Sequence, residues 1–163
     1  MNFVSQSWKA IVDRFENSAS LPVASAHCDV PCGVYEPDSM FWAAETVVKM
    51  HEKLSALEPP AAGDASAKVA YDKTVSRMTS VNEEYAQKCK KELLILWTDY
   101  FKPVHLEAYP DLHDTFWKAA KLCSACKVEV STEHCAELMA AVEKIHGIFW
   151  ATKSRDVTWY TAS

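Results

Sequence analysis

From Asp38 to about Glu58 apolar residues return every three or four positions, with Phe41, Ala44, Val48 and Leu54 or Leu57 on one stripe. That period predicts an amphipathic helix, and Asp38 or Ser39 stands where its N-cap is needed. Pro59-Pro60-Ala61-Ala62-Gly63 breaks the pattern. A second helix is predicted from near Asp64 to Phe101, stopped by Lys102-Pro103. At about 37 residues it is long for a globular helix, so a kink or break within it is expected. Leu93-Leu94-Ile95-Leu96-Trp97 is apolar all round and predicts deep burial. Residues 103–110 read as a turn region between two prolines, followed by helices over about 111–127 and 132–153. Gly147 in the last helix predicts close packing against a neighbour, and residues 154–163 form a tail carrying Trp159 and Tyr160. Four helices with short connections predict an all-α chain folded as an antiparallel four-helix bundle.

Composition narrows the function. The 163 residues carry 17 Lys and Arg against 22 Asp and Glu, a net charge of −5. An acidic chain lacks the basic face that a nucleic-acid binder sets against phosphates. No run approaches the ~18 consecutive apolar residues of a membrane span. Only 3 glycines occur, which argues against strands joined by tight turns and for long helices. The length suits one domain with a core of its own.

The first 26 residues differ in character. Phe3, Trp8, Ile11, Val12 and Phe15 recur at helical spacing, then Ser18 to Ala26 reads as a cleavable linker. Ala24-Ser25-Ala26 resembles a secretory cleavage site, but Lys9, Asp13, Arg14 and Glu16 interrupt any apolar signal core. The expectation is a propeptide at 1–26 and a domain at 27–163, in a reducing, cytoplasmic compartment where most thiols stay free. Cys123 and Cys126 then read as core thiols of one helix face, and Cys89 and Cys135 as inert thiols. His51, His105, His113, His134 and His146 show no metal-ligand spacing to one another and read as surface or capping residues.

The stretch that carries chemistry is His27-Cys28-Asp29-Val30-Pro31-Cys32-Gly33-Val34-Tyr35. Two prolines and a glycine at 31, 33 and 37 forbid a regular helix, so this is an ordered loop over 27–37. One imidazole and two thiols within six residues suit zinc, copper, nickel or iron. Tetrahedral zinc would want a fourth side chain, and none lies nearby in sequence. If the chain is cut before His27, that residue offers a free amine as well as its ring, and Cys28 a backbone nitrogen. Amine, amide nitrogen and two thiolates make a flat four-donor set, the tetragonal preference of nickel(II) or copper(II). Pro31 folds the chain back so that Cys32 can reach the position opposite the amine.

The string HCDVPCGVY resembles the nickel hook of the nickel superoxide dismutases, and the resemblance extends through LWTDYFKP at 96–103, YPDLHDTFWKAAKL at 109–122 and AVEKIHGIFWATK at 141–153. It implies a four-helix bundle assembled as a homohexamer, made with an N-terminal extension that a maturation protease removes. One nickel ion per subunit would cycle between nickel(II) and nickel(III), turning superoxide into oxygen and hydrogen peroxide. Carried onto this chain, His27 supplies the amine and an axial ring, Cys28 a thiolate and its backbone nitrogen, and Cys32 the second thiolate. Tyr35 and Tyr100 match the pair that screens the open axial face; Asp29, Pro31 and Lys102 match supporting residues of the hook and of the DYFKP string. The Val30–Pro31 bond is expected to be cis. A glutamate and an arginine that hold the axial imidazole in the actinobacterial pattern correspond here to Ala43 and Tyr85. An alternative of another class is a non-catalytic helical zinc-binding or metal-storage protein, using Cys28 and Cys32 with Cys123 and Cys126.

Overall fold

The structure, a computed structural model, describes residues 33–162. Every regular element among the described residues is helical. Helix α1 spans Asp38–Ser55, α2 Ala65–Ile95, α3 Pro103–Ala108, α4 Leu112–Val128 and α5 Thr132–Thr152, with a π-helical turn at Leu96–Tyr100. Helix α1 packs on α2 and α5, and α4 packs on the same two, which closes a ring of four helices. The bundle is the expected architecture.

Local chemistry explains where each helix starts. The N-cap of α1 is provided by neither Asp38 nor Ser39. Instead Glu36 accepts hydrogen bonds from the Asp38 and Ser39 backbone N–H groups at 2.5 and 3.2 Å. A carboxylate there satisfies two orphan donors and meets the positive end of the helix. Helix α2 starts where expected, with Asp64 accepting from the Ala67 N–H at 2.9 Å. Ser131 caps α5 by accepting from the His134 N–H.

The expected break in the long second helix is the π turn. The Phe101 N–H reaches back five residues to the Leu96 carbonyl at 3.1 Å. Widening the helix by one residue per turn rotates the chain beyond it. It leaves the Leu93–Trp97 run only partly buried: Leu93 and Leu96 face the core, but Leu94 is exposed. The expectation of deep burial throughout that run is therefore corrected. So is the turn predicted over 103–110, which holds the short helix α3. Pro103 stops α2 and opens α3 from its first position, where a missing N–H costs nothing.

The core is built from Met40, Phe41, Val47, Leu93, Leu112, Phe116, Leu138, Val142, Ile145 and Phe149, with the small residues Ala43, Ala44, Ala86 and Ala119 letting the helices approach. Gly147 contradicts its reading: a Cβ there would meet nothing within 4 Å, so no close neighbour requires it. Phe116 is fully buried, parallel to Trp97 (centroids 6.1 Å apart) and edge-on to Phe101 at 5.3 Å. Phe116→Ala should destabilise the chain by about 3–5 kcal/mol through lost transfer energy and a cavity that rigid neighbours cannot close. Urea unfolding checks this, as a lower midpoint at an unchanged slope.

The C-terminal tail folds back onto α1. Trp159 lies on Phe41 with centroids 4.5 Å apart and on His146 at 5.1 Å, and the Ala162 N–H donates to both carboxylate oxygens of buried Glu45 at 2.9 and 3.2 Å. This strap stiffens the N-terminal half of α1.

Candidate metal centre

Of the residues singled out from sequence, His27, Cys28, Asp29, Pro31 and Cys32 lie outside the described residues, as do the 1–26 segment and the Val30–Pro31 bond. The described chain begins at Gly33, whose φ of +71° lies in the left-handed region. Glycine adopts that conformation without the Cβ penalty of other residues. Val34 is exposed, Tyr35 half-buried and Pro37 buried, so the loop meets the bundle at Tyr35.

Tyr35 and Tyr100 are far apart in sequence, yet their ring centroids are 5.6 Å apart at a 54° tilt. The π turn places Tyr100 here, because it ends at that residue and turns the ring onto α5. Tyr100 packs on Phe149 at 4.6 Å, edge-on to Phe101 at 5.0 Å and parallel to His105 at 5.8 Å. Its hydroxyl shares a 2.5 Å hydrogen bond with Thr152 Oγ1, which itself donates to the Phe149 carbonyl at 2.6 Å. Lys153 Nζ lies 4.9 Å from the Tyr100 ring centroid. These contacts fix the position of the phenol. Lys102 is exposed; its N–H donates to His105 Nδ1 at 3.0 Å, and the His105 N–H returns a bond to the Lys102 carbonyl at 2.9 Å.

Ala43 is buried on α1 and Tyr85 half-buried on α2, with Lys88 Nζ 5.7 Å from the Tyr85 centroid. Ala43 has no polar side chain with which to orient an imidazole.

A second group of metal-type side chains was not visible in the sequence. His51 of α1, Cys126 of α4 and Cys135 of α5 are all buried, and their donor atoms lie within 4.8 Å of one another. The reading of every histidine as a surface or capping residue is corrected for His51 and His146, which are both buried. His146 accepts a hydrogen bond from Trp150 Nε1 at 3.1 Å, and burial pushes its pKa down. Cys89, Cys123, Cys126 and Cys135 are free thiols in the core, as expected. Cys135 departs from an inert thiol. The Cys126 thiol donates to it, and with His51 nearby its pKa falls to about 7 against the effect of burial. Cys126, the donor, is pushed up. Cys89 is pushed up by its hydrogen bond with Cys123 and by burial. The only trace of this cluster in the sequence is a pair of cysteines flanking the α4–α5 turn.

Similarity to known proteins covers most of the chain. Residues 22–153 match the family described as nickel-containing superoxide dismutase. The nickel superoxide dismutase of Streptomyces seoulensis is 37% identical over 129 residues, which cover 79% of this chain and 89% of that protein. That of Streptomyces coelicolor is 35% identical over the same length. A crystal structure of nickel-containing superoxide dismutase, with ligation corresponding to the oxidised state, superposes with a TM-score of 0.67 at 35% identity, covering 79% of this chain and all of that one. A native structure of a nickel superoxide dismutase gives 0.64 at 33% identity. With the family matched over residues 22–153 and such identity over almost the whole relative, the chain belongs to the nickel-containing superoxide dismutase family.

Proposed function

We propose that this chain, shortened to begin at His27, converts superoxide into oxygen and hydrogen peroxide at one nickel ion per subunit held by His27, Cys28 and Cys32. The observation that carries the reading is the string HCDVPCGVY at 27–35, inside the stretch that matches the family. The donor set fits the ion: two soft thiolates and two nitrogens suit a tetragonal divalent cation, and the anionic sulfurs and a deprotonated amide favour a higher oxidation state. Bound nickel supplies a one-electron couple between its divalent and trivalent states, able to take an electron from one superoxide and give one to the next.

The remaining chemistry falls to the chain. Asp29 and Pro31 are the supporting residues of the hook in this reading. Tyr35 and Tyr100 restrict the open face to small molecules, with the Tyr100 hydroxyl held by its donation to Thr152. A net charge of −5 repels superoxide at long range, whereas Lys153, its Nζ 4.9 Å from the Tyr100 ring centroid, is a local positive charge that attracts it. With Ala43 where a carboxylate would hold the imidazole, the His27 ring takes its orientation from other groups.

The assembled form is a homohexamer. In support, the first half of α2 carries no buried residue before Asn82 and leaves Val69 68% exposed, a surface suited to subunit contact. A maturation protease acts before His27, and the enzyme works in the cytoplasm, in keeping with four core cysteines held as free thiols. No helix among the described residues is long and apolar enough to cross a membrane. The zinc-storage alternative loses its ground with the family assignment.

The test is stopped-flow decay of superoxide by the His27-started chain after nickel loading. The expected result is one hook nickel per chain and turnover that scales with it; nickel-loaded protein no faster than free nickel would overturn the proposal.

A further inference from the structure

We infer that His51, Cys126 and Cys135 form a second metal site, separate from the hook, for a thiophilic divalent cation of the zinc class. The three donors come from three different helices and meet at one end of the bundle: the last turns of α1 and α4 and the first turn of α5. Their donor atoms lie within 4.8 Å of one another, so a small inward shift of the side chains brings all three to the ~2.0–2.3 Å bonds of one ion. All three residues are at most 3% exposed, so the fourth donor of a tetrahedral ion comes from the protein, and the Glu129 carbonyl oxygen, 3.1 Å from His51 Nε2, is placed to supply it.

The hydrogen bonds of His51 point the same way. Its Nδ1 lies 2.9 Å from the Val47 carbonyl oxygen and its Nε2 3.1 Å from the Glu129 carbonyl oxygen. Both partners are acceptors only, and a neutral imidazole has a single N–H. With the Nδ1 N–H on Val47, the Nε2 lone pair faces the Glu129 oxygen, a contact that either a second ring proton or a metal ion shared with that oxygen relieves. A metal ligand histidine commonly has one nitrogen on the ion and the other N–H on a backbone carbonyl, which fixes the ring. The neighbouring Asn82 adds to the imbalance. Its Nδ2 donates to the Cys126 carbonyl at 2.8 Å, while its buried Oδ1 has no partner.

Charge selects the ion. Two thiolates balance a divalent cation beside a neutral imidazole, so the buried site carries no net charge. A monovalent cation such as copper(I) would leave one negative charge in the core, which is costly without a partner. Binding requires both thiols to lose their protons, and these leave to solvent as the cation enters. The bound ion would staple α1, α4 and α5 at that end and so stabilise the bundle without touching superoxide.

The experiment uses the full chain carrying Cys28→Ala and Cys32→Ala, which removes the hook thiols and leaves the cluster intact. After reduction and chelation it is dialysed against zinc, and metal content and thermal midpoint are read. The expected result is about one zinc per chain, with a raised midpoint because the ion binds only the folded state. Cobalt(II) in place of zinc should give a thiolate-to-metal charge-transfer band. Adding Cys126→Ser and Cys135→Ser should abolish zinc and band together. Should that variant not fold, His51→Gln in the same background should weaken zinc at least ~100-fold in competition with a chromophoric chelator. A hook-free chain that keeps no zinc, zinc retained at full affinity after His51→Gln, or a Cys126–Cys135 disulfide (two hydrogens lost by mass) in place of the metal would each overturn the site. None of these outcomes bears on nickel or turnover at the hook.

Discussion

Cys28→Ser and Cys32→Ser, made singly in the His27-started chain, are each expected to abolish nickel retention and superoxide turnover together. A free thiol has a pKa of ~8.5, so a metal strips its proton readily near neutral pH. A serine hydroxyl is a hard donor and does not ionise in that range. The substitution therefore removes an anionic soft ligand and leaves a weak neutral one, and the higher oxidation state loses the charge that stabilises it. Because the helices that form the described core begin at Asp38, the bundle should keep its helicity and its unfolding midpoint. The measurement is metal content by mass spectrometry beside stopped-flow decay of superoxide, with circular dichroism as the control for folding. A serine variant with near-normal nickel and turnover would sink the ligand assignment. Zinc at His51, Cys126 and Cys135 should be untouched in these variants, since those residues lie on α1, α4 and α5.

The contrast between the two metal-type clusters says what a sequence can reveal. The hook stands out in the sequence because its candidate donors lie within six positions. The His51 group does not, because positions 51, 126 and 135 become neighbours only when three helices pack. The same division holds for the fold. The stripe of α1 is legible, since a half-buried helix writes its buried face into the chain. The π turn is not: Leu93 to Trp97 is apolar on every side, so no period marks where the register slips by one residue. Pro103 could be seen as the end of one helix, but the same ring at a first helical position also starts another, and six residues are too few to show a period. The Tyr35–Tyr100 contact depends on that hidden turn, and the family resemblance rather than any pattern paired the two residues in advance.

Full-length chain, loaded with nickel, is expected to be inactive, and removal of residues 1–26 is expected to switch it on. In the uncut chain the His27 nitrogen is part of an amide joined to Ala26, and its lone pair is delocalised into the peptide bond. An amide nitrogen in that state is a poor donor, and it cannot supply the neutral amine of the flat set. Nickel held by the two thiolates and the Cys28 nitrogen would lack its fourth planar donor, and the imidazole would lose the anchor that brings it over the plane. Cutting the bond frees an α-amine of pKa ~7.7–8.0, low enough for a metal to displace its proton at neutral pH. The comparison needs both chains at known nickel content, because the precursor can differ in affinity as well as in activity. Turnover per nickel is therefore the quantity to read, with residues 33–162 unchanged between the two. An uncut chain as active per nickel as the His27-started one would remove the amine from the mechanism, while an uncut chain that holds nickel without turning over would show the amine acting on the redox step itself.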